Sequence, residues 1–304
     1  MKYAFIYPGQ GSQTLGMGKD FKNNFSIAKE LSQRASDILH IDMDKLLEHD
    51  ENMLNQTQYT QPAIFLVSAM AHAIVKQECN IEAKIAFGHS LGEVSAYCLN
   101  GGASFENSIL LTHKRGQFMA KACEDKDVGM MVCLGLETEV LESLCDKARN
   151  DGLSVWAANY NVNGQIVLAG IKSHLEKIGQ QLKEAGAKRT MLLKMSVASH
   201  CPLLLDSVQP FHDTLQTYIN DCEIEIISNA TLQLYKKKEE ALENLTQQLI
   251  KPVLYDSSVL KAKELGIHQF IELGNGNVLA GLNNKIADIP TVSINTAESI
   301  KQLG

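Results

Sequence analysis

Ile85-Ala86-Phe87-Gly88-His89-Ser90-Leu91-Gly92-Glu93-Val94 decides how this chain is read. Three apolar residues of a short strand run into Gly88-His89-Ser90-Leu91-Gly92, a G-x-S-x-G pentapeptide. A helical stretch follows, Ser90 to Asn100, ended by Gly101-Gly102. Strand, sharp turn and helix in that order are the context of a nucleophile elbow in a hydrolase-like α/β fold. The glycines on either side of the serine let strand and helix come close. The serine hydroxyl then projects at a helix N-terminus, where free N–H groups favour a developing oxyanion. The competing reading is a glycine-bordered turn with an idle serine.

Working outward, strands and helices alternate. Tyr3–Tyr7 reads as a buried strand and Phe25–Leu39 as an amphipathic helix. Gln61–Cys79 reads as a helix with Pro62 in its first turn, where a missing N–H costs nothing. Lys84–Phe87 is a strand and Ser104–Cys123 a helix. The alternation predicts a mostly parallel sheet with helices on both faces. From about Asp127 the pattern changes to β-α-β-β-α-β, with strands at 130–134, 155–159, 165–169 and 188–194 and helices at 138–149 and 174–185. That is the order of a ferredoxin-like α+β unit. Strands near 223–228, 268–272 and 291–294 resume the first pattern. The expected organisation is a large α/β domain of residues 1–126 and 196–304, with a small ferredoxin-like domain, 127–195, inserted in it.

Composition narrows the function. Of 304 residues, 28 are Lys or Arg and 35 Asp or Glu, so the net charge is 28 − 35 = −7. This balance argues against nucleic acid as partner, since that affinity rests on phosphate neutralisation. The N-terminus has no apolar signal-like core. The longest apolar run, 63–75, is broken by Ser68 and His72, so no membrane span is expected. Seven cysteines without a C-x-x-C pair fit free thiols in a reducing, cytoplasmic setting.

A serine nucleophile needs a base. Among nine histidines, His40, His49 and His174 lie in polar surroundings and are expected to be solvated, His72 sits inside a helix and is expected to be packed, and His89 flanks the serine too closely. His200, in Ser196-Val197-Ala198-Ser199-His200-Cys201-Pro202, lies where the small domain hands back to the large one and leads the field. No acid announces itself as a third triad member, and no H-E-x-x-H or comparable metal cluster occurs. Pro8-Gly9-Gln10-Gly11-Ser12-Gln13 follows the first strand. It fails as a dinucleotide fingerprint because Thr14 stands where glycine is needed. It can instead aim a backbone N–H into a crevice at the strand end. Arg115 lies in the middle of an apolar helix. If it faces the cleft, its guanidinium offers a bidentate carboxylate site.

Taken together and in order, PGQGSQ (8–13), TQPA (60–63), GHSLGE (88–93), KRG (114–116), SH (199–200), SNAT (228–231) and ELGNGNVLAGL (272–282) resemble the malonyl-CoA:acyl-carrier-protein transacylase family of fatty-acid synthesis and the related acyltransferase domains of polyketide synthases. The resemblance covers nearly the whole chain. It implies Ser90 as acylated nucleophile, His200 as general acid/base, and the Gln10 and Leu91 amides as oxyanion hole. It also implies Arg115 as the grip on the malonyl carboxylate. In the family a main-chain carbonyl orients the histidine, which on this sequence points to Leu254 in Lys251-Pro252-Val253-Leu254-Tyr255, where the family often has Gln-Trp. Other departures are Asn163 and Asn275 in place of common prolines, and Ser199 where many malonyl-selective domains carry phenylalanine.

The implied reaction is ping-pong transfer from malonyl-CoA, a substrate, to the phosphopantetheine thiol of acyl-carrier protein. It needs no cofactor or metal, and the protein is expected to be a monomer. Alternatives are a trans-acting polyketide acyltransferase, an acyl-thioester hydrolase on the same Ser–His site, and a catalytically dead carrier-binding module. The last is disfavoured by intact Ser90, His200 and Arg115. Because carrier proteins are acidic, docking needs a local basic patch: Lys188, Arg189 and Lys194 are favoured over Lys236-Lys237-Lys238.

Overall fold

The computed structural model describes residues 1–79 and 81–303. The strands, in chain order, are β1 (Tyr3–Tyr7), β2 (Ala83–Gly88), β3 (Val128–Leu134), β4 (Val155–Val162), β5 (Gln165–Ile171), β6 (Arg189–Leu192), β7 (Glu225–Ile227), β8 (Leu234–Tyr235), β9 (Val253–Leu254), β10 (Gln269–Leu273) and β11 (Thr291–Ile294). Six form one sheet in the order β11-β10-β1-β2-β7-β8, parallel except for β8. In β1 alternate side chains enter different cores. Phe5 and Tyr7 join helices Thr57–Glu78, Phe105–Ala122 and Leu205–Tyr218, while Ala4 and Ile6 join Tyr255–Glu264 and Val278–Ile286. A central parallel strand buried on both faces reads as an unbroken apolar run, which is why Tyr3–Tyr7 is legible.

The other five strands form a second sheet, β6-β3-β5-β4-β9. Its first four are antiparallel neighbours, and helices Thr138–Asn150 and Lys172–Glu184 cover one face. Along β3, Met131 and Cys133 point to those helices, whereas Met130 and Val132 face the cleft between the sheets. The two-residue repeat of a strand thus splits one segment between a core and a site wall.

Two expectations need correcting. The second long helix starts at Thr57, so Pro62 lies well inside it and not in its first turn. Pro62 cannot donate to the Gln58 carbonyl four residues back, and that carbonyl accepts from His113 Nδ1 at 2.8 Å instead. The partner helix, 105–122, therefore repairs the break. It approaches closely there because Gly116 has no side chain: a Cβ would lie 2.6 Å from the Thr57 oxygen. Second, Val253–Leu254 was not expected as a strand. It adds in parallel to β4, pairing Asn159 with Val253 and Tyr160 with Leu254.

Candidate active site

At the carboxyl end of β2 the chain turns through Ser90 with φ 56° and ψ −106° before helix Leu91–Tyr97. Gly88 and Gly92 do not need unusual torsions. They are required by proximity, since a Cβ on Gly92 would sit 1.9 Å from the Tyr7 oxygen and one on Gly88 2.4 Å from the Gly92 carbonyl carbon. The clash is backbone on backbone. Gly92→Ala is therefore expected to destabilise the fold by about 3 kcal/mol or more. Urea unfolding would measure it, and a loss well under about 1 kcal/mol would contradict this packing.

The elbow is held from behind. The Ser90 amide donates to Asn229 Oδ1 at 2.8 Å, and Asn229 Nδ2 donates to the Gly88 carbonyl at 2.8 Å. Gln248 Nε2 donates to the Ser90 carbonyl at 2.9 Å. The 8–13 loop seats directly on the turn, because a Cβ on Gly9 would meet the His89 oxygen at 2.1 Å.

His200 Nε2 lies 2.7 Å from Ser90 Oγ. Its Nδ1 lies 2.7 Å from the Gln248 carbonyl oxygen, which can only accept, so Nδ1 carries the proton and Nε2 faces the hydroxyl with a lone pair. Burial, reinforced by Arg115, pushes the His200 pKa down to about 3, so the resting imidazole is neutral. Five described non-glycine residues have positive φ, and Ser90 and His200 are two of them. Positive φ at two polar side chains in direct contact marks Ser90 and His200 as a candidate site.

Arg115 is 1% exposed, and its depth decides its role. Nη1 donates to Gln61 Oε1 and Nη2 to Gln248 Oε1, each at 2.8 Å, with Ser90 Oγ 3.4 Å from Nη2. Nε has no partner among the described residues. Burial pulls its pKa down to about 10, while Glu93 opposes the shift, so the guanidinium stays charged at neutral pH. Arg115 is thus a buried cation held by two neutral side-chain amides beside the Ser90 hydroxyl, an arrangement that can pair with an anionic group.

Ser90, His200, Arg115, Gln10 and Leu91 all line one cleft of about 290 Å³ between the two sheets. The Gln10 and Leu91 amides make no backbone or side-chain hydrogen bond among the described residues. Leu254 is not brought here. Its amide donates to the Asn229 carbonyl and its own carbonyl accepts from Ser258 Oγ at 2.7 Å. After Gln248 the chain leaves the site to pair with β4, so the carbonyl that reaches His200 comes six residues earlier.

Of the other histidines, His40 and His49 are exposed. His72 is packed, with Nδ1 2.7 Å from the Tyr7 hydroxyl, and His89 is bonded to Asn161 at 2.8 Å. His174 differs from expectation. It is half-buried and accepts from the Ser154 amide at 2.9 Å. The supports Gln61, Asn229, Glu93 and Gln248 carry no roles in the sequence reading. The first three stand inside the quoted TQPA, SNAT and GHSLGE segments, whereas nothing local marks Gln248.

Residues 4–287 match the acyl transferase domain family. The chain belongs to that family. Among similar acyl transferases, the malonyl CoA-acyl carrier protein transacylase of Bacillus subtilis is 34% identical over 303 residues, covering 99% of this chain and 95% of that protein. The Haemophilus influenzae protein of the same name is 34% identical over 302 residues, covering 98% and 96%. The crystal structure of malonyl-CoA:acyl carrier protein transacylase from Helicobacter pylori superposes with a TM-score of 0.96 at 44% identity, covering 99% of this chain and 97% of that one. A malonyl-transacylase in complex with its type II polyketide acyl-carrier protein is also similar, with a TM-score of 0.96 at 31% identity, covering 100% and 99%.

Proposed function

We propose that this acyltransferase moves the malonyl group from malonyl-CoA to the phosphopantetheine thiol of acyl-carrier protein, supplying fatty-acid synthesis. The observation that carries the reading is Arg115: a buried guanidinium 3.4 Å from the candidate nucleophile selects an acyl group that ends in a carboxylate. The similarity to proteins named malonyl CoA-acyl carrier protein transacylase supports the same substrate.

Ser90 Oγ attacks the thioester carbonyl as His200 Nε2 takes its proton. The tetrahedral oxyanion lies against the Gln10 and Leu91 amides. The C–S bond breaks, CoA sulfur leaves with the proton from His200, and malonyl-Ser90 remains. The carrier thiol then gives its proton to His200, attacks the ester and restores the Ser90 hydroxyl. The Gln248 carbonyl serves the imidazolium formed in each half-reaction, as the acid of a triad would. Acyl transfer to a purified carrier protein, compared for malonyl-, methylmalonyl- and acetyl-CoA, tests the assignment. Malonyl should dominate, and comparable rates with acetyl-CoA would overturn it.

The strand order β6-β3-β5-β4, antiparallel with two helices on one face, supports reading 127–195 as a ferredoxin-like domain inserted in a hydrolase-like one of 1–126 and 196–304. The proposal includes a cytoplasmic setting, in which the free cysteines would stay reduced. No helix among the described residues is long and apolar enough to cross a membrane. For the carrier, Lys188, Arg189 and Lys194 are exposed on the segment that leads through cleft residues Leu193 and Met195 to His200. Lys237 is instead tied to Asp221 at 2.8 Å, and Lys238 to the Gln216 carbonyl at 2.7 Å. Charge reversal at Lys188 and Arg189 should raise the carrier's KM about tenfold and leave acylation by malonyl-CoA intact. Equal losses in both half-reactions would contradict docking there.

A further inference from the structure

Glu93, one turn into the helix behind Ser90, is fully buried and takes no part in the steps above. Its carboxylate accepts three hydrogen bonds: from Tyr235 Oη to Oε1 at 2.8 Å, and to Oε2 from the Asn229 amide at 3.0 Å and Gln248 Nε2 at 2.6 Å. The last contact continues outward. With its NH₂ committed to Glu93 and the Ser90 carbonyl, Gln248 must present Oε1 to Arg115 Nη2. A carboxylate–amide–guanidinium relay therefore crosses the back of the site, with a negative charge at one end and a positive charge at the other.

That arrangement is neutral while the cleft holds no anion. A second carboxylate on Arg115 would leave one guanidinium facing two buried negative charges, which a low-dielectric site resists. A proton can relieve this at Glu93 without heavy-atom movement. Tyr235 Oη is donor or acceptor by rotation of its hydroxyl hydrogen, so a protonated Oε1 can donate along the same contact.

We propose that Glu93 is the proton-accepting counter-charge of Arg115: in mildly alkaline solution it is ionised while the guanidinium is unoccupied, and it takes up a proton from solvent when a malonyl carboxylate pairs with Arg115. Malonyl binding is thereby coupled to proton uptake, and acetyl binding is not. Glu93 acts as a positioning residue, through Gln248, and the inference rests on the malonyl reading above. Burial supports it by pushing the Glu93 pKa up to about 7 in the site without substrate. The other ionisable groups facing this network do not titrate nearby. Burial holds Tyr235 far above its ordinary range, and behind it raises Tyr97 and lifts Cys222 to about 11. Arg115 stays charged and His200 neutral.

The sign follows from linkage. A bound carboxylate raises the Glu93 pKa further, so binding favours the protonated form. Malonyl affinity is then flat below about pH 7 and falls above it, by up to about tenfold per pH unit, until the pKa of the complex is reached. Acetyl-CoA carries the same CoA phosphates without the carboxylate and serves as the control. Titration calorimetry of Ser90→Ala, in two buffers of different ionisation enthalpy at about pH 8, counts the protons. The expected result is uptake approaching one proton with malonyl-CoA, none in excess of that background with acetyl-CoA, and no malonyl excess once Glu93→Gln is added. Zero excess uptake with bound malonyl-CoA, or uptake that survives Glu93→Gln, overturns the proposal. Should Glu93→Gln not fold, difference infrared on Ser90→Ala decides. A protonated-carboxyl band must appear with malonyl-CoA and not with acetyl-CoA, and its absence overturns the assignment. Failure of malonyl-CoA to bind where acetyl-CoA does would instead overturn the substrate reading itself.

Discussion

Ser90→Ala is expected to lower malonyl transfer by about 10⁴-fold or more, with labelled malonyl no longer retained on the protein. The hydroxyl sits 2.7 Å from His200 Nε2, at a turn that lines the cleft. The loss is chemical. The turn is held by its backbone, through Asn229 Oδ1 on the Ser90 amide and Gln248 Nε2 on the Ser90 carbonyl, and neither contact uses Oγ. Stability should therefore stay within about 1 kcal/mol of the parent. His200→Ala should cost a similar factor, and the double variant little more than either single one, because the proposed nucleophile and base would act as a unit. Label retained on the Ser90→Ala protein would place the acyl group elsewhere and remove the basis for the ping-pong scheme.

Arg115→Ala is expected to reduce kcat/KM for malonyl-CoA by about 30- to 4,000-fold, the loss of a desolvated charge-assisted pair worth about 2–5 kcal/mol. Acetyl-CoA has no carboxylate to lose, so its turnover should hold or rise. The truncation also strips Gln61 Oε1 and Gln248 Oε1 of their donor. Some general weakening is thus expected, and it should fall on both substrates alike. The ratio of the two thioesters isolates the carboxylate effect. An unchanged malonyl-to-acetyl ratio in the variant would refute the clamp and with it the main structural reason for naming malonyl.

Much of the architecture is legible in single segments because it is written in local patterns. The bounds of β1 and β11 follow from short apolar runs between turn residues, and the elbow from two glycines flanking a serine between strand and helix. Pro62 misled because proline normally marks a helix start. Here a neighbouring helix supplies His113 to the freed Gln58 carbonyl and Gly116 to let the two backbones meet, and neither compensation lies within reach of a local pattern. β9 was missed because two residues have no periodicity; they become a strand only because β4 presents an open edge.

Within the site the same division holds. Residue type and context singled out Ser90 and, less sharply, His200, and marked Arg115 only on the condition that it faces the cleft, whereas Gln10 and Leu91 came from the family resemblance alone. The sequence by itself determined the α/β class, the elbow and the chemical groups available for acyl transfer. Only the tertiary structure decided that Arg115 is buried beside Ser90, that Glu93 lies behind them, and that Gln248 rather than Leu254 faces His200. The reason is physical. A backbone carbonyl is the same group in every residue, so which one reaches the imidazole depends on the path of the chain after helix 238–247. The pairing of Val253–Leu254 with β4 sets that path, across almost a hundred residues of intervening sequence.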